Sequence, residues 1–168
     1  IHLRIIAKST KSDDTKTMVQ SVENQILRLI GSSVWGFDDD TPHQVAVNEL
    51  QKRSLTLRIQ ESFTSGIISN NILSAEDSDK VFSGSNIIPP KECGGSDLKL
   101  RKNEILLKAS HLDLDQNIKK LGTVTFTVSD VKQSTISQAN YRDNSQRMKE
   151  RAASYALISL LSFIKAYY

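Results

Sequence analysis

The sequence predicts an α/β fold, a three-layer α/β/α sandwich with a mixed sheet, preceded by a small β-α-β piece. Three observations carry that prediction. The stretch "LTLRIQESFTSGIISNNIL", residues 55–73, changes its hydrophobic period midway: Leu55, Leu57 and Ile59 alternate, whereas Ile67, Ile68, Asn71 and Ile72 recur at helical spacing, so a strand runs into a helix. "GTVTFTVSD" places Val124, Phe126 and Val128 on one side of a strand. Residues 144–166 bring Met148, Ala152, Tyr155, Ala156, Leu160, Phe163 and Ile164 together at helical spacing, which makes a long closing helix.

In chain order, residues 1–7 of "IHLRIIAK" alternate and are expected as a strand. Residues 13–30 put Met18, Val22, Ile26 and Leu29 or Ile30 on one face of an amphipathic helix that should stop at Gly31. "SSVWGF" is a short second strand, and the resulting β-α-β piece is too small to cover its own sheet face. Thr41, Pro42 and Gln44 follow in the order of a capping box with proline at the first helical position, and Asp38, Asp39 and Asp40 supply carboxylates where a helix N-terminus favours them. A boundary is therefore expected near residue 38, dividing 1–38 from 39–168. After 55–73 comes a polar connector, "SAEDSDKV", and then "FSGSNIIPPKECGGSDLKLRKN", where two prolines and the Gly94-Gly95 pair leave room for a strand only at 85–88. Residues 104–110 form a further strand, and "KQSTISQANY" pairs with "GTVTFTVSD" as a hairpin through Asp130. The order α-β-α-β-β-β-β-α implies a mixed sheet with helices on both faces.

Composition narrows the function classes. The 168 residues, 38% hydrophobic and 24% charged, suit one globular domain with a small appendage. A net charge of +3, from 22 basic and 19 acidic residues mostly interspersed, gives no preference for polyanions or membranes, and nucleic acid is not expected as a partner. The single cysteine, Cys93, excludes an intrachain disulfide framework and suits a reducing, cytoplasmic setting. No apolar run reaches the roughly 18 residues of a membrane span. His2, His43 and His111 share no metal-ligand spacing with one another or with Cys93, so no metal is expected. Ile1 falls inside an expected strand with no methionine before it, and the sequence reads as the later part of a longer chain.

Several motifs together resemble the CinA family of competence/damage-inducible proteins, at the junction of its KH-like middle domain and its C-terminal domain. The residues that carry the resemblance are "LRIIAK" from Leu3, Ile30-Gly31, Val34-Trp35-Gly36 with Asp38, Asp39 and Thr41, and "ESFTSG" at 61–66 against the family's "ESCTGG". Gly122-Thr123-Val124 matches its "GTV" strand, and "MKERAA" from Met148 its last-helix "IRxRAA". The resemblance implies that 1–38 is a partial KH-like middle domain and 39–168 the C-terminal domain. It implies a cofactor-free nicotinamide-nucleotide amidase, converting nicotinamide mononucleotide to nicotinic acid mononucleotide and ammonia. In that reading Ser62 is the nucleophile and a lysine its partner.

The chemistry is intelligible at this hinge. A serine hydroxyl needs a base to become a nucleophile, and backbone N–H groups at a helix start can hold the oxyanion of an attacked amide. Thr64, Ser65 and Gly66 could supply such groups. Serine between strand and helix is also a preferred cap, so Ser62 reads equally as nucleophile or cap. The family pattern is then departed from downstream. Phe82 and Gly84 keep the register of "FxGGxxxYSNxxK", but Ser85, Pro89 and Gly94 stand for its second glycine, tyrosine and lysine, leaving Lys91 as the nearest lysine. The "TGIAGPxG" turn is replaced by residues 108–113, and Ser145 takes the place of the first arginine of "GDRxxIR", with Arg142, Arg147 and Lys149 close by. The site expected is Ser62 with Lys91 as catalytic pair, and Thr64, Ser65, Gly66, Arg142 and Lys149 as substrate contacts. The alternative is a non-catalytic relative that serves oligomerisation or supports an upstream nucleotide pyrophosphatase domain. A homo-oligomer is expected from the broad apolar surface of the closing helix.

Overall fold

The computed structural model describes residues 3–89, 99–111, 113–114 and 122–168. The chain forms two compact units, Ile1–Trp35 and Gly36–Tyr168. The first holds helix α1, Ser12–Ile30, which runs on into a 3-10 turn at Gly31–Ser33. Neither strand expected for this piece is formed: residues 3–9 and 34–37 are irregular, and Leu3 and Ile6 are exposed. Their alternation had suggested a strand, but a strand needs a neighbour to pair with, and none exists among the described residues of this unit.

The second unit carries a mixed six-stranded sheet with helices, as the α/β class requires. Thr41 caps helix α2, Pro42–Lys52, accepting from the Gln44 N–H, with Pro42 in the first turn where its missing N–H costs nothing. The reciprocal half of the capping box is not made, because Gln44 Oε1 takes the Glu76 N–H instead. Strand β1, Thr56–Glu61, leads through the hinge into the short helix α3, Ile67–Leu73. Strand β2, Phe82–Ile87, begins three residues before the expected 85–88, and Gly84 adopts φ 136 within it. Strands β3, Glu104–Ala109, and β4, Asp113–Leu114, precede the hairpin of β5, Gly122–Ser129, and β6, Ser134–Tyr141. Helix α4, Gln146–Tyr167, closes the unit.

Strand β1 lies between β2 and β3, parallel to both. β3 runs antiparallel to β5 from Leu106↔Ser129 to Ala109↔Phe126, and β4 takes up the same edge of β5 at Asp113↔Thr123. β6 pairs along the whole other edge of β5. The connection leaving β1 turns toward β2 while that leaving β3 turns toward β5, so the carboxyl ends of β1 and β3 form a topological switch point, where open α/β sheets place ligands.

One face of the sheet, built from Leu57, Ile59, Ile105, Leu107, Val124, Phe126 and Val128, is buried. Helices α2, α3 and α4 pack against one another and turn Ala46, Val47, Leu50, Ile68, Ile72, Leu160 and Phe163 inward. All three therefore lie on one side. The other face shows half-exposed Thr56, Arg58, Thr123, Thr125 and Thr127 beside buried Glu104, Leu106 and Gln60. On α4, Leu157 and Leu161 are 1% exposed, covered because the helix meets the sheet below and α2 and α3 at its flanks. Its apolar width reflects burial on several sides.

Candidate active site

The hinge at 61–66 is fixed by a carboxylate. Glu61, the last residue of β1, is fully buried and accepts from Thr64 Oγ1 and Ser69 Oγ, each at 2.6 Å, and from the N–H groups of Ile68 at 3.2 Å and Ser69 at 3.1 Å. Those N–H groups belong to the first turn of α3, which otherwise leaves them without partners. A carboxylate at the positive end of a helix is favourable, and hydrogen bonds to a charged group contribute about 1.5–3 kcal/mol each. Glu61 thus caps α3 from the adjoining strand. The sequence signal was a glutamate at the end of an alternating run and just ahead of a helical one, a role the motif reading did not assign.

Ser62 is therefore not the cap. The N-cap of α3 is Gly66, at φ 95, where a Cβ would also meet Ile87 Cδ1 at 3.0 Å. The Ser62 backbone continues the pairing of β1, its N–H bonding the Ala109 carbonyl at 3.0 Å, while its Oγ is buried with no hydrogen-bond partner among the described residues. Phe63 follows, buried against Tyr141 with ring centroids 5.4 Å apart. Burial first, and the neighbouring Tyr155, push the Tyr141 phenol up to about 12 against an opposing pull from Arg151, so this ring stays neutral behind the hinge.

The three residues expected to present N–H groups differ in what they offer. Thr64 is fully buried and its hydroxyl is committed to Glu61. The Ser65 N–H bonds the Ser62 carbonyl at 3.1 Å. The N–H groups of Thr64 and Gly66 have no acceptor among the described residues. Ser65 itself is exposed and holds φ 52, and its Oγ receives a hydrogen bond from Lys149 Nζ at 3.0 Å. Lys149, in the first turn of α4, is thus brought to the hinge. Arg142 is exposed and makes no hydrogen bond or ion pair with the hinge among the described residues. Lys91, the expected partner of Ser62, lies outside the described residues.

Two shallow grooves lie elsewhere, one of about 450 Å³ beside Asn48 and Lys52 and one of about 680 Å³ beside Lys8 and Met18. No group of three or more His, Cys, Asp or Glu side chains gathers in a metal-holding arrangement among the described residues. No helix among them is long and apolar enough to cross a membrane.

No family model matches the chain. Curated proteins carrying the name competence-damage inducible protein are similar to it. That of Bacillus mycoides is 30% identical over 131 residues, covering 72% of this chain and 31% of that protein. That of Thermoanaerobacter pseudethanolicus is 29% identical over 134 residues, 77% of this chain and 32% of that protein. The chain spans about a third of the length of these relatives. Among solved structures, a competence or damage-inducible protein from Enterobacter asburiae superposes with a TM-score of 0.61 at 15% identity, over 75% of this chain and 99% of that one. The competence damage-inducible protein A of Klebsiella pneumoniae gives 0.62 at 15% identity, over 77% and 100%. At that identity the likeness is one of fold.

Proposed function

Because the chain belongs to the competence/damage-inducible protein (CinA) family, we propose that its larger unit is an amide hydrolase at the 61–66 hinge. Its substrate is nicotinamide mononucleotide or a related nucleotide, and its products are the nicotinic acid nucleotide and ammonia. The observation that carries this reading is the oxygen-rich hinge at the switch point of the sheet, where the N–H groups of Thr64 and Gly66 have no acceptor among the described residues and Lys149 Nζ reaches the Ser65 hydroxyl. Amide hydrolysis by a serine needs a nucleophilic oxygen, a base to take its proton and donors for the oxyanion. The hinge gathers serine hydroxyls and N–H groups without an acceptor among the described residues at the switch point of the sheet. A hydroxyl adds to the carboxamide carbon, ammonia departs and water releases the acyl group. Arg142, exposed at the end of the same unit's hairpin, remains a proposed substrate contact.

One observation favours a second reading, a fold that supports a neighbouring domain without catalysis: Ser62 Oγ is buried with no hydrogen-bond partner among the described residues. Ammonia release from nicotinamide mononucleotide, with mass-spectrometric detection of the acid, separates the two. The amidase reading expects both products in equal amounts, and none from a Ser62→Ala/Ser65→Gly double variant that still unfolds cooperatively. A wild-type chain that yields no ammonia, or a double variant at the wild-type rate, favours the supporting role.

A further inference from the structure

We propose that the free edge of strand β6 is an interface whose occupant is β6 of a second copy of this chain, added antiparallel so that two sheets join into one. The inference stands apart from any activity at the hinge. Hydrogen bonds around β5 show which way the backbone of β6 points. Thr125 turns its carbonyl to the Ser110 N–H and its own N–H to Ser110 Oγ, both at 2.9 Å, and so faces away from β6. Asp130, of opposite parity, gives its N–H to the Gln133 carbonyl across the turn. Backbone direction alternates along a strand, so in the register from Val128↔Thr135 to Val124↔Ala139 the odd-numbered residues of β6 bond β5. Ser134, Ile136, Gln138 and Asn140 therefore present their N–H and C=O groups outward, where no strand pairs with them among the described residues.

Nothing along this edge discourages pairing. Natural sheets blunt a free edge with charges, prolines, bulges or very short strands. The 8 residues of β6 include no charged side chain and no proline, and they pair with β5 without a bulge. Ile136, near the middle, is 70% exposed. The opposite edge of the sheet is blunted: β2 is shorter, has a register shift against β1 and carries Gly84 at φ 136. The uncharged surface also continues behind β6. Ser159 Oγ of α4 lies 3.2 Å from Ser137 Oγ, exposed Ser162 follows one turn on, and no charged residue stands between Arg151 and Lys165.

The occupant follows from matching. A row of strand amides is satisfied along its length by another strand, and an uncharged edge meets no like charge when it meets itself. Two β6 edges related by a two-fold axis close on each other, whereas β6 against β2 of another copy would run head to tail and stay open. Outward-facing residues must oppose outward-facing ones, and the axis that satisfies this with the longest overlap passes through Ser137. Ser134 then opposes Asn140 of the second copy, and Ile136 opposes Gln138. The two Ile136 side chains lie diagonally across the seam on one face, within reach of each other.

Two measurements on the full chain test the interface. Light scattering at micromolar concentration is expected to give twice the 18.8 kDa of one chain. Gln138→Pro removes an outward N–H and none that β5 uses, and Ile136→Lys sets a charge beside the seam. Each is expected to raise the dissociation constant of the dimer about tenfold or more, with circular dichroism and cooperative unfolding as in wild type. Independently, Ser137→Cys in a Cys93→Ser background brings two thiols to the axis, where facing residues of a pair without mutual hydrogen bonds lie about 4.5 Å apart. Mild oxidation is expected to link these chains in pairs and to leave Lys132→Cys chains in the same background unlinked. A wild-type chain of single mass, a dimer that Gln138→Pro and Ile136→Lys both leave intact, or a Ser137→Cys chain that oxidation does not link overturns the proposal.

Discussion

A serine at φ 52 crowds its Cβ against the following carbonyl oxygen, which costs about 1–2 kcal/mol that glycine escapes. Glycine stands at the same place in the "ESCTGG" pattern the hinge resembles. Ser65→Gly removes that strain, and the greater freedom glycine gives the unfolded chain offsets about 0.5–1 kcal/mol of the gain. The variant is therefore expected to be more stable by up to about 1 kcal/mol, read as a higher urea midpoint at unchanged slope. An unchanged or lower midpoint would mean that the Lys149 hydrogen bond is worth at least as much as the strain. The oxygen-rich hinge itself was legible in "ESFTSG", because the hydrophobic period changes there. Which oxygen meets which partner was not. Ser65 and Lys149 are 84 positions apart and meet only once α4 has been laid beside α3. Glu61 captures N–H groups seven and eight residues on, through a turn whose shape the sequence does not state.

Helix α4 shows how an element can be read correctly while its surroundings stay open. The spacing of Ala152, Ala156, Leu160 and Ile164 located the helix, but an apolar arc wider than one stripe is produced equally by a partner surface and by burial on several sides. Leu157 is buried in the chain. Leu157→Ala is thus expected to lower stability by about 2–5 kcal/mol and to leave the mass from light scattering equal to that of wild type; a fall in mass without loss of stability would restore the helix as an interface. Strand β2 escaped full recognition because "FSGSNI" lacks alternation, and its pairing rests on backbone bonds and on Glu104 of β3. That carboxylate is fully buried and accepts from Ser83 Oγ of β2 at 2.7 Å, the Arg101 N–H at 3.2 Å and Arg58 Nε of β1 at 3.1 Å, joining three parallel strands. Burial alone would raise its pKa, but Ser83, Arg101 and Arg58 outweigh it and hold the group below its ordinary 4.5. A carboxyl lowered in the folded state binds its proton later than in the unfolded one. Its stabilisation is complete above pH 4.5 and lost as pH falls through the lower folded value. Glu104→Gln is expected to flatten the dependence of the denaturation midpoint on pH in that acid window, and an unaltered dependence would show that other carboxyls govern it.

At the scale of the whole molecule, the α/β class followed from alternating periods. Counting helices does not say which face each one covers, and α2, α3 and α4 proved to share one. Self-association stays a proposal, tested by the same light scattering against the 18.8 kDa of a single chain. The sheet also has an unequal geography along the chain. Ser129 meets Ser134 across a tight turn, whereas Thr56 waits for Glu104 and the hinge for Lys149. Closing the longer loops costs more chain entropy before any contact repays it. The β5–β6 hairpin is then expected to form early and to template β3, with β1 and its hinge joining on the far side of the folding barrier. In a stopped-flow chevron, Val128→Ala should slow folding, whereas Ile59→Ala should chiefly speed unfolding. The order of these events gives the hinge a temporal character: Ser65 and Lys149 would be among the last groups to meet as the chain folds and the first to part when it opens.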